Sequence, residues 1–140
     1  MSKQKLNLKW CGKRQFLGTG SNGQTVTLDG PLSAGGENQG IRPMEMVLLG
    51  LAGCSAFDVV SILEKKRSGL VQCDVDIDAE RADATPAVFT KIHLKFIVSA
   101  EKVSEKALTQ AICLSVDKYC SVAAMLMSGG VEISHSFEIV

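Results

Sequence analysis

The most reactive side chains in this 140-residue chain are its five cysteines, Cys11, Cys54, Cys73, Cys113 and Cys120. Their number is odd, and no C-x-x-C or paired Cys/His cluster occurs. Structural zinc is normally held by ligands grouped in close pairs, so no metal site is expected. What remains is thiol chemistry. The thiolate is the reactive species, and a helix N-terminus or a nearby cation favours it. Cys54 lies inside an apolar segment eleven residues past Pro43, so the dipole of its own helix does not reach it. Cys120 sits beside a second expected helix start. Both also fit as small core hydrophobes, as buried free cysteines commonly are. Asp58, four residues after Cys54, shares its side of a helix and opposes ionisation unless paired. Its simpler role is holding a loop or a lysine. His135 falls on the apolar face of a strand and reads as a satisfied core histidine. His93 belongs to a basic ladder. Cys11, Cys73 and Cys113 read as spacer or core residues, and Met125 and Met127 as core.

These side chains need elements to position them. Leu6, Leu8 and Trp10 alternate with polar residues, Gln15 to Thr19 returns, and Thr25 to Leu28 follows an Asn22-Gly23 turn, which predicts a three-stranded meander. Asp29 to Gly40 is a polar, glycine-rich loop. Pro43 opens a long helix running to about Arg67, ended by Ser68-Gly69. Its first half, Met46 to Phe57, is apolar on every face, where a surface helix would show a polar side. A domain of this size has little material to wrap such a helix, so burial against a second copy is the simplest answer. Val71, Cys73, Val75, Ile77 and Ala79 share one strand face, with Gln72, Asp74, Asp76, Asp78 and Glu80 on the other. Ile92, Leu94, Phe96 and Val98 alternate with Lys91, His93 and Lys95, so a basic ladder can lie opposite the acidic one. Ser104 caps a second helix to about Tyr119, Ser121 caps a short third, and Val131 to Ile139 closes the chain as a strand. This order predicts an α+β fold in one domain, residues 1–140.

Composition narrows the function classes. The chain is 46% hydrophobic, and its fifteen basic and fifteen acidic side chains cancel. A neutral chain has no long-range field for phosphate, and seven aromatics make a poor stacking platform, so nucleic acid is not an expected partner. The apolar uncharged run from Met46 to Phe57 falls short of the roughly 20 residues that cross a bilayer, so no membrane is expected. The N-terminus MSKQKLNLKW lacks the apolar core of a signal peptide, and the cytoplasm is the expected location.

The stretch RPMEMVLLGLAGCSAFDVVSIL resembles the central cysteine helix of the OsmC/Ohr family, and DKYCSVAAMLMSGGVEISHSFEI resembles its second cysteine segment. The 66-residue separation of Cys54 and Cys120, the meander, the D-V-D-I-D strand and the closing strand follow the family order. K-Y-C-S-V is the wording of a small bacterial branch. The resemblance implies a thiol peroxidase without metal or organic cofactor. Cys54 would attack a small-molecule hydroperoxide and become a sulfenic acid, Cys120 would condense with it to a disulfide, and an external dithiol would reduce the pair. It also implies an intertwined homodimer around a buried cysteine helix. Relatives place a glutamate directly after the helix-opening proline to orient an arginine over the thiolate. Here Met44 takes that place and Glu45 follows, about 100° around the helix. Arg14, in the first hairpin, is the implied arginine, with Arg42 as a rival. Ser121 stands where many relatives have proline. Two other readings stay open: a non-catalytic dimeric binding or redox-sensing protein, and a different thiol reaction such as acyl or persulfide handling.

Overall fold

The computed structural model describes residues 3–140. They divide into an N-terminal unit ending at Val47 and a C-terminal unit, Leu48–Val140. In the first, β1 (Asn7–Trp10), β2 (Phe16–Thr19) and β3 (Thr25–Leu28) form the expected antiparallel meander. Gly12 and Gly23 take positive φ, the conformation that closes its two turns without a side-chain clash.

The glycine-rich loop that follows is organised by one carboxylate. Asp29 is buried and accepts backbone N–H bonds from Gly30 at 2.7 Å, Gln39 at 3.1 Å and Glu37 at 3.3 Å. Gly36 has to be glycine here, because a Cβ would stand 2.1 Å from the Gly30 carbonyl oxygen. Burial alone would push the Asp29 carboxyl up. The N–H donors of Gln39, Gly30 and Glu37, with the Arg42 charge, outweigh it, and the carboxyl lies below its ordinary value. Arg42 itself holds the loop end, donating to Asn38 Oδ1 at 2.5 Å and to the Gly40 carbonyl at 3.2 Å.

Helix α1 spans Pro43–Lys65. Its start is closed by Glu45, whose Oε1 accepts the Arg42 N–H at 3.0 Å, the glutamate half of a capping box. Its end is a Schellman turn, with Arg67 N–H on the Glu64 carbonyl and Ser68 N–H on that of Leu63. The left-handed residue closing the helix is Arg67, ahead of the expected Ser68-Gly69. One row of α1, Leu51, Ser55, Val59 and Leu63, is buried at four-residue steps. Ala52 is buried beside this row, while another face stays open: Leu49 is 50% and Phe57 73% exposed, and a Cβ at Gly50 or Gly53 would meet nothing within 4 Å. The helix is also long and apolar enough to cross a membrane, with a mean hydropathy of 2.1 in its best window. That corrects the expectation drawn from its uncharged run alone.

In the C-terminal unit, β4 (Leu70–Arg81), β5 (Phe89–Ala100) and β6 (Glu132–Ile139) form a sheet in that order, antiparallel then parallel. The ladders fall into register as expected: Asp76 opposite Lys95, Asp78 opposite His93, Glu80 opposite Lys91. The ion pairs themselves form on the other side, Lys95 with Glu138 at 3.2 Å and Lys91 with Glu132 at 3.9 Å. Val71 departs from the expected face, because an irregularity between Leu70 and Gln72 leaves it 74% exposed. Ile92, Leu94, Phe96 and Val98 are buried with the α1 row and with Leu108 and Ile112 of α2 (Glu105–Leu114) in one core. Ser104 caps α2 as expected, accepting the Ala107 N–H at 3.1 Å.

A carboxyl whose folded pKa is depressed stabilises the fold above its unfolded pKa, near 3.9, and loses that contribution as pH falls through the lower folded value. Asp29→Asn is therefore expected to lower the urea midpoint at neutral pH and to flatten its decline between about pH 5 and about pH 2. An unchanged pH profile refutes this role.

Candidate functional site

The two cysteines singled out by type and position come together in the C-terminal unit. Cys54 is half-buried on α1, beside the buried row that carries Ser55. Cys120 is delivered by an irregular turn. After α2 the chain does not continue straight to Tyr119. Over Ser115–Tyr119 it widens into a π-turn, closed by the Cys120 N–H on the Ser115 carbonyl at 2.7 Å. Such wide turns are rare and recur at functional sites. Cys120 then takes an extended conformation, φ −71° and ψ 110°, and becomes the N-cap of α3 (Ser121–Ser128). Its Sγ accepts the Ala123 N–H at 3.4 Å. The expected cap, Ser121, is instead the first helical residue.

Two serines fasten this turn to α1. The Ser55 hydroxyl donates to Cys120 Sγ at 3.3 Å. The Ser115 hydroxyl donates to the Ser55 carbonyl at 2.7 Å, with Asp58 Oδ2 at 3.2 Å as its second acceptor. Asp58 thus anchors the π-turn, a different role from the loop or lysine contact expected of it. Cys120 Sγ also faces the Leu51 carbonyl at 4.0 Å. Ser55 and Ser115 were missed as functional residues. The signal for Ser55 lies in the sequence, since it falls in the four-residue row Leu51, Ser55, Val59, Leu63. Ser115 carries a similar mark, since it continues the small and apolar stripe of Leu108, Ala111 and Ile112.

Burial pushes the Cys120 thiol up. Hydrogen bonds from Ser55 and the Ala123 N–H pull it down, and the hydrogen-bonded Cys54 thiol raises it again. The balance is upward, so Cys120 rests as a protonated thiol while Cys54 is the sulfur that solvent reaches. One accessible sulfur against one sealed sulfur suits oxidation at the first and condensation at the second.

The other candidates have local partners. Arg14 is exposed in the N-terminal unit, lies along Gly35 and donates to the Lys13 carbonyl at 3.2 Å. Glu45 and Arg42 serve the helix start and the loop. Cys11 is exposed and Cys73 half-buried, its thiol raised by burial and by Asp74.

Residues 36–136 match the family model described as OsmC-like protein. Protein YhfA of Escherichia coli K12 is 43% identical over 136 residues, covering 95% of this chain and 96% of its own. A crystal structure of a hypothetical protein from Aquifex aeolicus VF5 is 33% identical with a TM-score of 0.85, covering 100% of this chain and 98% of its own. An organic hydroperoxide resistance protein OsmC from Legionella pneumophila shares the fold at 13% identity, with a TM-score of 0.70 and coverage of 99% and 98%.

The hydrogen-bond pattern gives Cys120 a defined response. In a Cys54→Ser background, alkylation of Cys120 by iodoacetamide is expected to be slow at neutral pH and to accelerate only in the alkaline range. Adding Ser55→Ala, which removes a donor to the thiolate, should move that rise to higher pH. A rise that stays in place shows that Ser55 does not govern the thiol.

Proposed function

The chain belongs to the OsmC family, and from that premise we propose that it is a thiol-dependent peroxidase acting on organic hydroperoxides. The observation that carries the reading is the pairing of a half-exposed Cys54 with a buried, serine-clamped Cys120. The Cys54 thiolate attacks the peroxide O–O bond. Its sulfur takes the near oxygen, the alkoxide leaves and is protonated, and Cys54 becomes a sulfenic acid. The Cys120 sulfur then attacks Cys54, the sulfenic oxygen leaves as water with the Cys120 proton, and a disulfide forms. An external dithiol reduces it by exchange, giving back two thiols. No metal or organic cofactor enters this cycle.

Arg14 is the proposed cation for the Cys54 thiolate, on the strength of the family resemblance alone. Glu45 is the proposed orienting carboxylate, a role that competes with its hydrogen bond to the Arg42 N–H. That competition favours a second reading, a redox sensor that forms the disulfide without turnover. The family match runs across the boundary at Val47, which supports residues 1–140 as one domain. The apolar face of α1 with Leu49, Phe57 and two open glycines supports a homodimer. The proposed setting is the cytoplasm, with α1 covered by the second copy and not by lipid.

Reduced protein mixed with cumene hydroperoxide is expected to lose Cys54 and Cys120 thiols together, with a Cys54–Cys120 disulfide detected by mass spectrometry. Cys54→Ser should abolish peroxide consumption. Cys120→Ser should stop after one equivalent and trap a sulfenic acid. Sustained consumption with added dithiol marks the peroxidase, and a single oxidation without turnover marks the sensor. Thiols left intact under excess peroxide refute both. Separately, Phe57→Glu is expected to convert a dimer to a monomer by light scattering after gel filtration; an unchanged mass removes α1 from the interface.

A further inference from the structure

One cluster of metal-ligating side chains stands apart from the thiol pair. Cys113 of α2, Asp117 of the π-turn and His135 of β6 place one ligand atom each within 4.8 Å of one another. Three different elements supply them. Cys113 and Asp117 are four residues apart, so one helical turn stacks them on one side. His135 pairs in register with Leu94, in the inward row between Ile133 and Phe137. Cys113 and His135 are half-buried and Asp117 is exposed, so the cluster opens to solvent at its carboxylate end.

None of the three side chains has a hydrogen-bond or ion-pair partner among the described residues. The imidazole expected to be satisfied in the core is instead half-buried and has no protein partner among the described residues. On one side lies a groove of about 550 Å³ lined by Gln110, Cys113, Leu114, Asp117 and Lys118. On the other side of His135 lies a second groove, of about 370 Å³, reaching Thr109 and Ser136. There is room for a further ligand such as water.

We propose that Cys113, Asp117 and His135 form a zinc site with three protein ligands and an open fourth position. One sulfur, one imidazole nitrogen and one carboxylate oxygen match the preference of Zn²⁺ for mixed N, S and O donors in a tetrahedron. With Zn–S near 2.3 Å and Zn–N or Zn–O near 2.0–2.2 Å, ligand atoms sit roughly 3.2–3.8 Å apart. Side-chain rotation of about an ångström closes the cluster to that spacing. Binding displaces the Cys113 proton and ties the π-turn to β6.

The test uses reduced full-length protein and Zn²⁺ alone, titrated against a chromophoric chelator. One equivalent per chain is expected in the wild type and equally in Cys54→Ser/Cys120→Ser, which keeps this site separate from the thiol pair. Cys113→Ser, Asp117→Ala and His135→Gln should each weaken binding at least tenfold. Because a variant can lose binding by unfolding, far-UV circular dichroism accompanies each. Co²⁺ added to the folded Cys54→Ser/Cys120→Ser protein gives an independent readout: tetrahedral d–d bands with a sulfur-to-cobalt charge-transfer band. Absence of those bands, retention of zinc by both Cys113→Ser and His135→Gln, or loss of zinc on removing Cys54 and Cys120 overturns the proposal. The peroxide assay is unaffected by any of these outcomes, so the two readings fail separately.

Discussion

The geometry of the thiol site depends on one hydroxyl bond, from Ser115 to the carbonyl of Ser55 at 2.7 Å. A carbonyl inside an α-helix already accepts its helical N–H, and its second lone pair is the acceptor that Ser115 uses. Ser115 is wholly buried. With no water to replace its partners, losing both the Ser55 carbonyl and the Asp58 carboxylate would leave the Ser115 hydroxyl unsatisfied, at about 1–3 kcal/mol. That cost keeps the π-turn on α1. The turn's own closing bond, from the Cys120 N–H to the Ser115 carbonyl, then fixes where the second sulfur emerges.

From this constraint follows the difference between the two sulfurs. Cys54 rides on a helix whose buried row is set by the core, and it sits at the edge of that row. Cys120 is pinned where an extended residue turns into α3, so its sulfur receives an N–H and a hydroxyl while remaining out of water. Burial wins over those donors and keeps the proton on. The same donors stand ready for the moment the sulfur carries charge.

Much of this was legible in the sequence because it is local. Period-two alternation marks the strands, the run from Met46 to Phe57 marks α1, and Ser104 marks the start of α2. The facing charge ladders of β4 and β5 follow from alternation plus a short loop. What stayed hidden depends on distant partners. Nothing between Ser115 and Tyr119 announces a wide turn, since the reason for it, the Ser55 carbonyl, lies sixty residues earlier. Ser121 looked like a helix cap by residue type, and Cys120 took the position because the π-turn shifts the chain register. Asp29 was read as the first residue of a polar loop, yet it gathers three backbone donors up to ten residues on. Cys113, Asp117 and His135 fit no ligand spacing because the parallel placement of β6, not sequence proximity, brings them close.

That parallel placement has a kinetic consequence. β4 and β5 can zip as neighbours along the chain, but β6 pairs with β5 only after two intervening helices have bent back across the sheet, so that His93 meets Ser134 over a gap of 41 residues. Closing so long a loop is entropically slow compared with forming a hairpin. Until β6 arrives, the backbone donors and acceptors along that edge of β5 are open to strands from other molecules.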